Sequence, residues 1–125
     1  MSVCSEEILK LAEALMCSDG EAMHRASVSR SYYALYHEAS IAASALSLPN
    51  VGGVSTSHER LIARYSAGSK GLAAIGRSLR KQKLLRAKAD YDIGEDISSA
   101  DARLHVATSR KLVGDLRRIT SQIAI

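Results

Sequence analysis

No stretch of this chain alternates apolar and polar residues over a useful length, whereas apolar residues recur at three- and four-residue steps along most of it. A half-buried strand hides every second side chain and an amphipathic helix every third or fourth, so this pattern commits the backbone to helices. Composition agrees. The chain has one proline, five tyrosines, and neither phenylalanine nor tryptophan. A core without large aromatics other than tyrosine must be built from aliphatics and alanine, which suits helices that approach closely. At 125 residues the chain is one domain's worth, residues 1–125.

Start and stop signals divide it. A first helix is expected from about Ser5 to Met16, with Ile8, Leu11, Ala12 and Leu15 at helical spacing, stopping near Ser18-Asp19-Gly20. Ser18 and Glu21 have capping-box spacing and open a second helix of some seven turns, from about Glu21 to Leu48. Its seam is Val28, Tyr32, Leu35, Ala39, Ala42 and Leu46, and Pro49 to Gly53 ends it. Thr56 and Glu59 repeat the capping-box spacing before a short helix through Leu61, Ile62 and Tyr65, which Gly68 and Gly71 interrupt. Leu72, Ile75, Leu79 and Leu84 carry a further helix ending near Lys88, and Asp90 to Asp96 reads as an acidic connector. Ser98 or Ser99 caps a last helix reaching Gln122 or beyond, with Leu104, Leu112, Val113, Leu116, Ile119 and Ile123 as its seam. The expected fold is all-α: an up-and-down four-helix bundle with one short extra helix.

The sequence argues against several functions. No apolar run approaches the roughly 18 residues of a membrane span, and no signal peptide is visible, so the expected location is cytoplasmic and no membrane partner is expected. Cys4 and Cys17 lack a further Cys or His at ligand spacing, so neither a metal nor another cofactor is expected. The acidic group Asp90, Asp92, Glu95, Asp96 and Asp101 lacks the spacing and terminal Glu of a calcium loop, and its place ahead of a helix start explains it. Gly68-Ser69-Lys70-Gly71 lacks the Gly-Lys-Ser/Thr order of a phosphate loop.

The most informative stretch is Ser29 to Glu38, which holds three of the five tyrosines. Arg30 and His37 are seven positions apart, which on a helix is about 10.5 Å of rise and about 20° of rotation. Both therefore leave the same face, with Tyr33 between them and the Val28–Leu46 seam to one side. A fixed cation that can fork onto phosphate oxygens, beside a group that titrates near neutrality, suits phosphodiester chemistry. The structural alternative has Arg30 paired with a carboxylate and His37 packed among the tyrosines.

The segment Arg25-Ala-Ser-Val-Ser-Arg-Ser-Tyr-Tyr-Ala-Leu-Tyr-His-Glu-Ala39 resembles the signature helix of the HEPN family of small helical domains. Ser57-His58-Glu59-Arg60-Leu61-Ile62 is similar to the His-bearing helix that follows in many members, and Arg86-Ala-Lys-Ala-Asp90-Tyr91-Asp92 to an Arg-x-x-Ala-Asp-Tyr element before the final helix. The resemblance implies a helical bundle, usually a homodimer, often encoded beside a small nucleotidyltransferase. Many members are metal-independent endoribonucleases, including toxins of toxin–antitoxin pairs, with an Arg and a His separated by four to six residues and brought together from both subunits. Arg30 and His37, with six residues between them, match that spacing; Ser31 stands where the family commonly carries Asn, Asp or His after the Arg.

On this resemblance Arg30 and His37 are the expected catalytic pair. The alternative is a non-catalytic module that binds a nucleotide or docks a nucleotidyltransferase, the nucleotidyltransferase being the expected antitoxin partner in a two-gene module. Tyr33 and His58 are supporting candidates; His58, in the first turn of its helix, is expected neutral because the dipole disfavours the cation there. Tyr91 is a candidate for modification by a partner enzyme or for an interface, with packing as the plainer role. Arg103, Arg110 and Arg117 share one face at seven-residue steps and are candidate RNA-binding residues, a solvated helix face being the alternative. A second basic cluster runs from Arg77 to Lys88, and the formal charge of +4 fits an RNA or nucleotide partner.

Overall fold

The computed structural model describes residues 3–54 and 56–123. The described residues form five helices and no strand: α1 (Ser5–Met16), α2 (Glu21–Ala45), α3 (Ser57–Ser66), α4 (Lys70–Tyr91) and α5 (Ser99–Ile123). They pack as a helical bundle in which α2 touches each of the other four. None of these helices is long and apolar enough to cross a membrane.

The central place of α2 follows from its side chains. Its buried residues include Ser27, Ser31, Ala34, Ala39, Ala42 and Ala43, small groups that let neighbouring backbones come close. Val28, Tyr32 and Leu35 fill the gaps between them. The main core joins these to Leu9 of α1, Leu61, Ile62 and Tyr65 of α3, Leu79 of α4, and Leu112, Val113 and Leu116 of α5. A second cluster gathers Val28, Ala89, Ile97 and Ala102 at the other end of α2. Tyr65 carries the polar exception into the core by donating its hydroxyl to the Ala39 carbonyl at 2.7 Å.

Most helix boundaries stand where local signals put them, and the differences have physical causes. Thr56 accepts from the Glu59 amide and Ser98 from the Asp101 amide, as N-caps do. At α2 the capping box does not form. Gly20, at φ +105°, is the N-cap, and Glu21 instead pairs with Arg25 and accepts from the Ile97 amide. Gly71 lies inside α4 rather than interrupting it.

α4 also runs three residues past the expected end at Lys88. The reason is Arg25, whose guanidinium donates to the carbonyls of Lys88, Ala89, Asp92 and Glu95. Carbonyls at a helix C-terminus lack intrahelical donors, and Arg25 supplies them from a distant part of the chain. Arg64 does the same for α2, donating to the carbonyls of Leu48 and Ala43.

Four apolar residues expected to face inward do not. Leu11, Leu84, Leu104 and Ile123 are all exposed. The buried stripe of α4 passes through Gly76, Leu79, Gln82 and Ala89, and that of α5 through Ala102, His105, Val106 and Ser109, so small and polar residues hold places that larger apolar ones were expected to fill.

Those buried polar residues satisfy one another. His105 Nε2 lies 3.1 Å from the Gln82 backbone carbonyl, which can only accept, so Nε2 carries the proton. Nδ1 then accepts from the Ser31 hydroxyl at 2.8 Å. Gln82 returns two bonds, to the His105 carbonyl and the Ser109 hydroxyl, each 2.8 Å. Burial lowers the His105 pKa to about 4, with the bond to the Gln82 carbonyl opposing that shift.

Two outcomes follow for stability. A Cβ at Gly76 would sit 2.7 Å from Ser66 Oγ and 3.1 Å from Ser66 N, so α3 and α4 cross here without room for a side chain. Gly76→Val should cost about 1–3 kcal/mol in urea unfolding; an unchanged midpoint would show that the crossing relaxes freely. For His105 the folded state stays neutral below pH 6.5 while the unfolded chain takes up a proton. Stability is therefore full above pH 6.5 and falls as pH drops toward about 4. The loss amounts to about 3 kcal/mol over that window. His105→Gln should remove this part of the pH dependence; identical slopes in both proteins would contradict it.

Candidate functional site

Because one half of α2 is buried, the other half has to carry its polar and charged groups outward. Arg30, Tyr33, His37 and Ile41 are all exposed on this side. Arg30 and His37 thus share an outward face, and Tyr33 lies between them with its ring edge-on to His37, 4.4 Å between centroids. The two do not share a cavity. Arg30 opens onto a groove against α1, beside Glu7, Ile8 and Leu11, which Tyr33 also borders. His37 lines a different cleft, with Tyr33 on its wall, and also a second groove that shares Ile8 and Tyr33 with the Arg30 groove.

That cleft, about 360 Å³, is formed where α2, α3 and α4 meet. From α2 come Ser29, Tyr32, Tyr33, Tyr36 and His37, placed along one edge by three- and four-residue steps. The first turn of α3 supplies Ser57 and His58. The last turns of α4 supply Arg86 and Asp90, which face it together because they are four residues apart on a helix that continues to Tyr91.

His58 is the hub. Its Nδ1 lies 2.9 Å from the Tyr32 hydroxyl and its Nε2 3.5 Å from the Arg86 guanidinium. Its ring packs 4.6 Å from that of Tyr36 and 5.6 Å from that of Tyr32. A guanidinium only donates, so Nε2 is the acceptor and Nδ1 gives its proton to the Tyr32 oxygen. Burial, and then the positive charges of Arg86 and Lys83, hold the His58 pKa below its ordinary value. His58 is therefore a neutral imidazole near pH 7, as its place in the first turn of a helix requires. Burial raises Tyr32 to about 12, against the pull of Arg86.

Arg86 closes the inner wall. Its charge rests over the ring of Tyr32 at 5.0 Å and near that of Tyr91 at 5.7 Å. It reaches Asp90 at 3.5 Å and the Tyr91 hydroxyl at 3.3 Å, and Ser29 meets the same Asp90 oxygen at 3.4 Å. Tyr91 is itself 77% exposed, at the end of α4.

Of the three expected α5 arginines, Arg117 borders the second groove that Tyr33 and His37 line, and Arg103 and Arg110 line neither that groove nor the cleft. Arg110 is held by both Glu6 and Glu13, with its closest contacts at 2.7–2.8 Å. Arg117 reaches Glu38 at 3.0 Å, Glu6 at 3.2 Å and Ser5 at 3.1 Å. Glu38 is buried and also accepts from Ser5, so this network ties α1 to α2 and α5. The bonds from Arg110 and Arg117 hold the Glu6 carboxyl below its usual range. These two guanidinium groups are thus occupied by carboxylates. Arg103 is exposed and has a 3.3 Å contact with Ser99, so the three arginines do not form one open cationic stripe.

Arg86 and Asp90 stand in the Arg-x-x-Ala-Asp-Tyr element of the sequence but were not among the expected site residues. Arg86 stood as one of several cations in a basic run, and Asp90 as the first residue of a connector. The signal that joins them is their four-residue spacing, hidden because the cap that lengthens α4 comes from Arg25. Among the described residues no group of three or more His, Cys, Asp or Glu is placed to hold a metal ion. Cys4 and Cys17 are free and exposed. Compared with known proteins, the chain matches no family model, no curated protein and no solved structure.

The two environments of the α5 arginines make a direct contrast. Arg117→Ala leaves the buried Glu38 carboxylate without its cation and should destabilise the fold by about 1–3 kcal/mol. Arg103→Ala should change stability by less than about 0.5 kcal/mol. Urea unfolding of both variants checks this; equal effects would mean that the Arg117 network contributes nothing.

Proposed function

We propose that this chain is a HEPN-type domain, an up-and-down four-helix bundle with α3 as the short extra helix, acting on RNA as a metal-independent endoribonuclease. The observation that carries this reading is the outward face of α2, where His37 shares a face with one cation, Arg30, and a cleft of about 360 Å³ with a second, Arg86. In the reaction the RNA 2′-oxygen attacks the neighbouring phosphorus, the bond to the 5′-oxygen breaks, and the 5′-oxygen leaves with a proton. His37 takes the 2′-hydroxyl proton or delivers the one the leaving oxygen needs, and Arg30 stabilises the charge that builds on the phosphate. The products are a 2′,3′-cyclic phosphate and a free 5′-hydroxyl.

This reading places the protein in the cytoplasm, as a homodimer whose α2 faces complete the site and as the toxin-like half of a two-gene module with a nucleotidyltransferase antitoxin. One observation favours a second reading. Arg30 does not line the cleft that His37 and Arg86 share, which suits a non-catalytic module that binds a nucleotide or docks the nucleotidyltransferase.

The purified protein should cut RNA in EDTA and leave 2′,3′-cyclic phosphate ends. Arg30→Ala and His37→Ala should each lower cleavage by on the order of a hundredfold or more without loss of helicity. Cleavage by a folded double variant at the wild-type rate would overturn the endoribonuclease assignment. Tight binding of a nucleotide or nucleotidyltransferase with no cleavage would favour the second reading.

A further inference from the structure

Two other partly buried arginines in this fold meet strong acceptors. Arg110 has carboxylate oxygens at 2.7–2.8 Å, and Arg64 reaches the Leu48 carbonyl at 2.7 and 3.0 Å. Arg86 does not. Its side chain is only 14% exposed, yet its polar contacts are 3.3 Å to a tyrosine hydroxyl and 3.5 Å to Asp90 and to His58. Its Nε–H is buried with no hydrogen-bond partner at all. A cation largely removed from water and bonded this loosely is costly, and an anion supplying short charge-assisted bonds relieves that cost.

We propose that the cleft between α2, α3 and α4 is a binding site for a phosphate monoester, anchored by Arg86. The guanidinium fork matches the spacing of phosphate oxygens, which accept at several positions at once. Tyr32 and Ser29 bring hydroxyl donors to the same wall. The Tyr32 oxygen accepts from His58, so its own proton is free for a ligand oxygen. Asp90 meets Arg86 by one long contact, and its side chain is partly exposed, so it can turn to water when phosphate takes its place. The volume of about 360 Å³ exceeds that of a phosphate ion, leaving room for an organic group against Tyr36 and Tyr33. The inference deepens the nucleotide-binding reading of the same cleft by naming its anchor, and it does not require the Arg30–His37 chemistry.

Titration of the wild-type protein with ribose 5-phosphate, followed by the imidazole NMR signals, tests it. His58 should shift and saturate, while His105 should not move. Arg86→Gln should weaken binding on the order of tenfold or more. Where that variant fails to fold, the wild-type His58 response decides alone. Oligoribonucleotides with and without a 5′-phosphate separate the two sources of a monoester: preference for the phosphorylated one assigns the site to RNA ends, and tighter binding of the sugar phosphate assigns it to a small molecule. Either result supports the site. An unmoved His58, equal affinity in folded Arg86→Gln, or acetate binding as tightly as phosphate would overturn it. Phosphate binding without RNA cleavage leaves this inference standing while the endoribonuclease reading fails.

Discussion

The small side chains of α2 are the constraint on which the rest depends. Ser27, Ser31, Ala34, Ala39, Ala42 and Ala43 leave so little volume on one half of the helix that the other four helices can all reach it. Close packing of this kind gains dispersion and removes apolar surface from water, but only while the neighbouring backbones stay near. Everything polar on α2 is then driven into one of two positions. Ser31 turns inward and is consumed by His105, while Arg30, Tyr33 and His37 turn outward. The contrast between Ser31 and its predecessor Arg30 is a rotation of one residue along a helix, about 100°.

Long-range arginine bonds complete the frame. Arg25 and Arg64 reach the ends of α4 and α2 and add donors to the carbonyls there from distant parts of the chain. Arg110 and Arg117 tie α1 to the bundle through Glu6, Glu13 and Glu38. A basic composition therefore does not translate directly into a basic surface. Several cations that a count of charges offers to nucleic acid are spent inside the protein, and Arg86, inside the cleft, is left with weak partners.

The helices themselves were legible because periodicity and caps are local. Thr56 and Ser98 cap as their spacing implies, and the α2 seam from Val28 to Ala42 is buried. What was not legible depends on contacts between distant segments. Gln82, His105 and Ser109 are buried because they satisfy one another across two helices, and no window of either helix contains all the partners. Leu84 and Leu104 are exposed for the same reason, since the inward stripe passes through those polar residues. At the candidate site, the common face of Arg30 and His37 followed from spacing alone. The cleft beside His37 did not, because it brings α3 and α4 against α2, and Asp90 joins its wall only where α4 runs on to Tyr91.

On the proposed function, nucleic acid meets this protein on the outward face of α2 and its adjoining cleft rather than along α5. Photo-crosslinking of bound RNA followed by mass mapping of the modified peptides measures that directly. Crosslinks should fall on the segments containing Tyr33, His37 and Tyr91. Crosslinks confined to the α5 segment from Arg103 to Arg117, with none on α2, would contradict it.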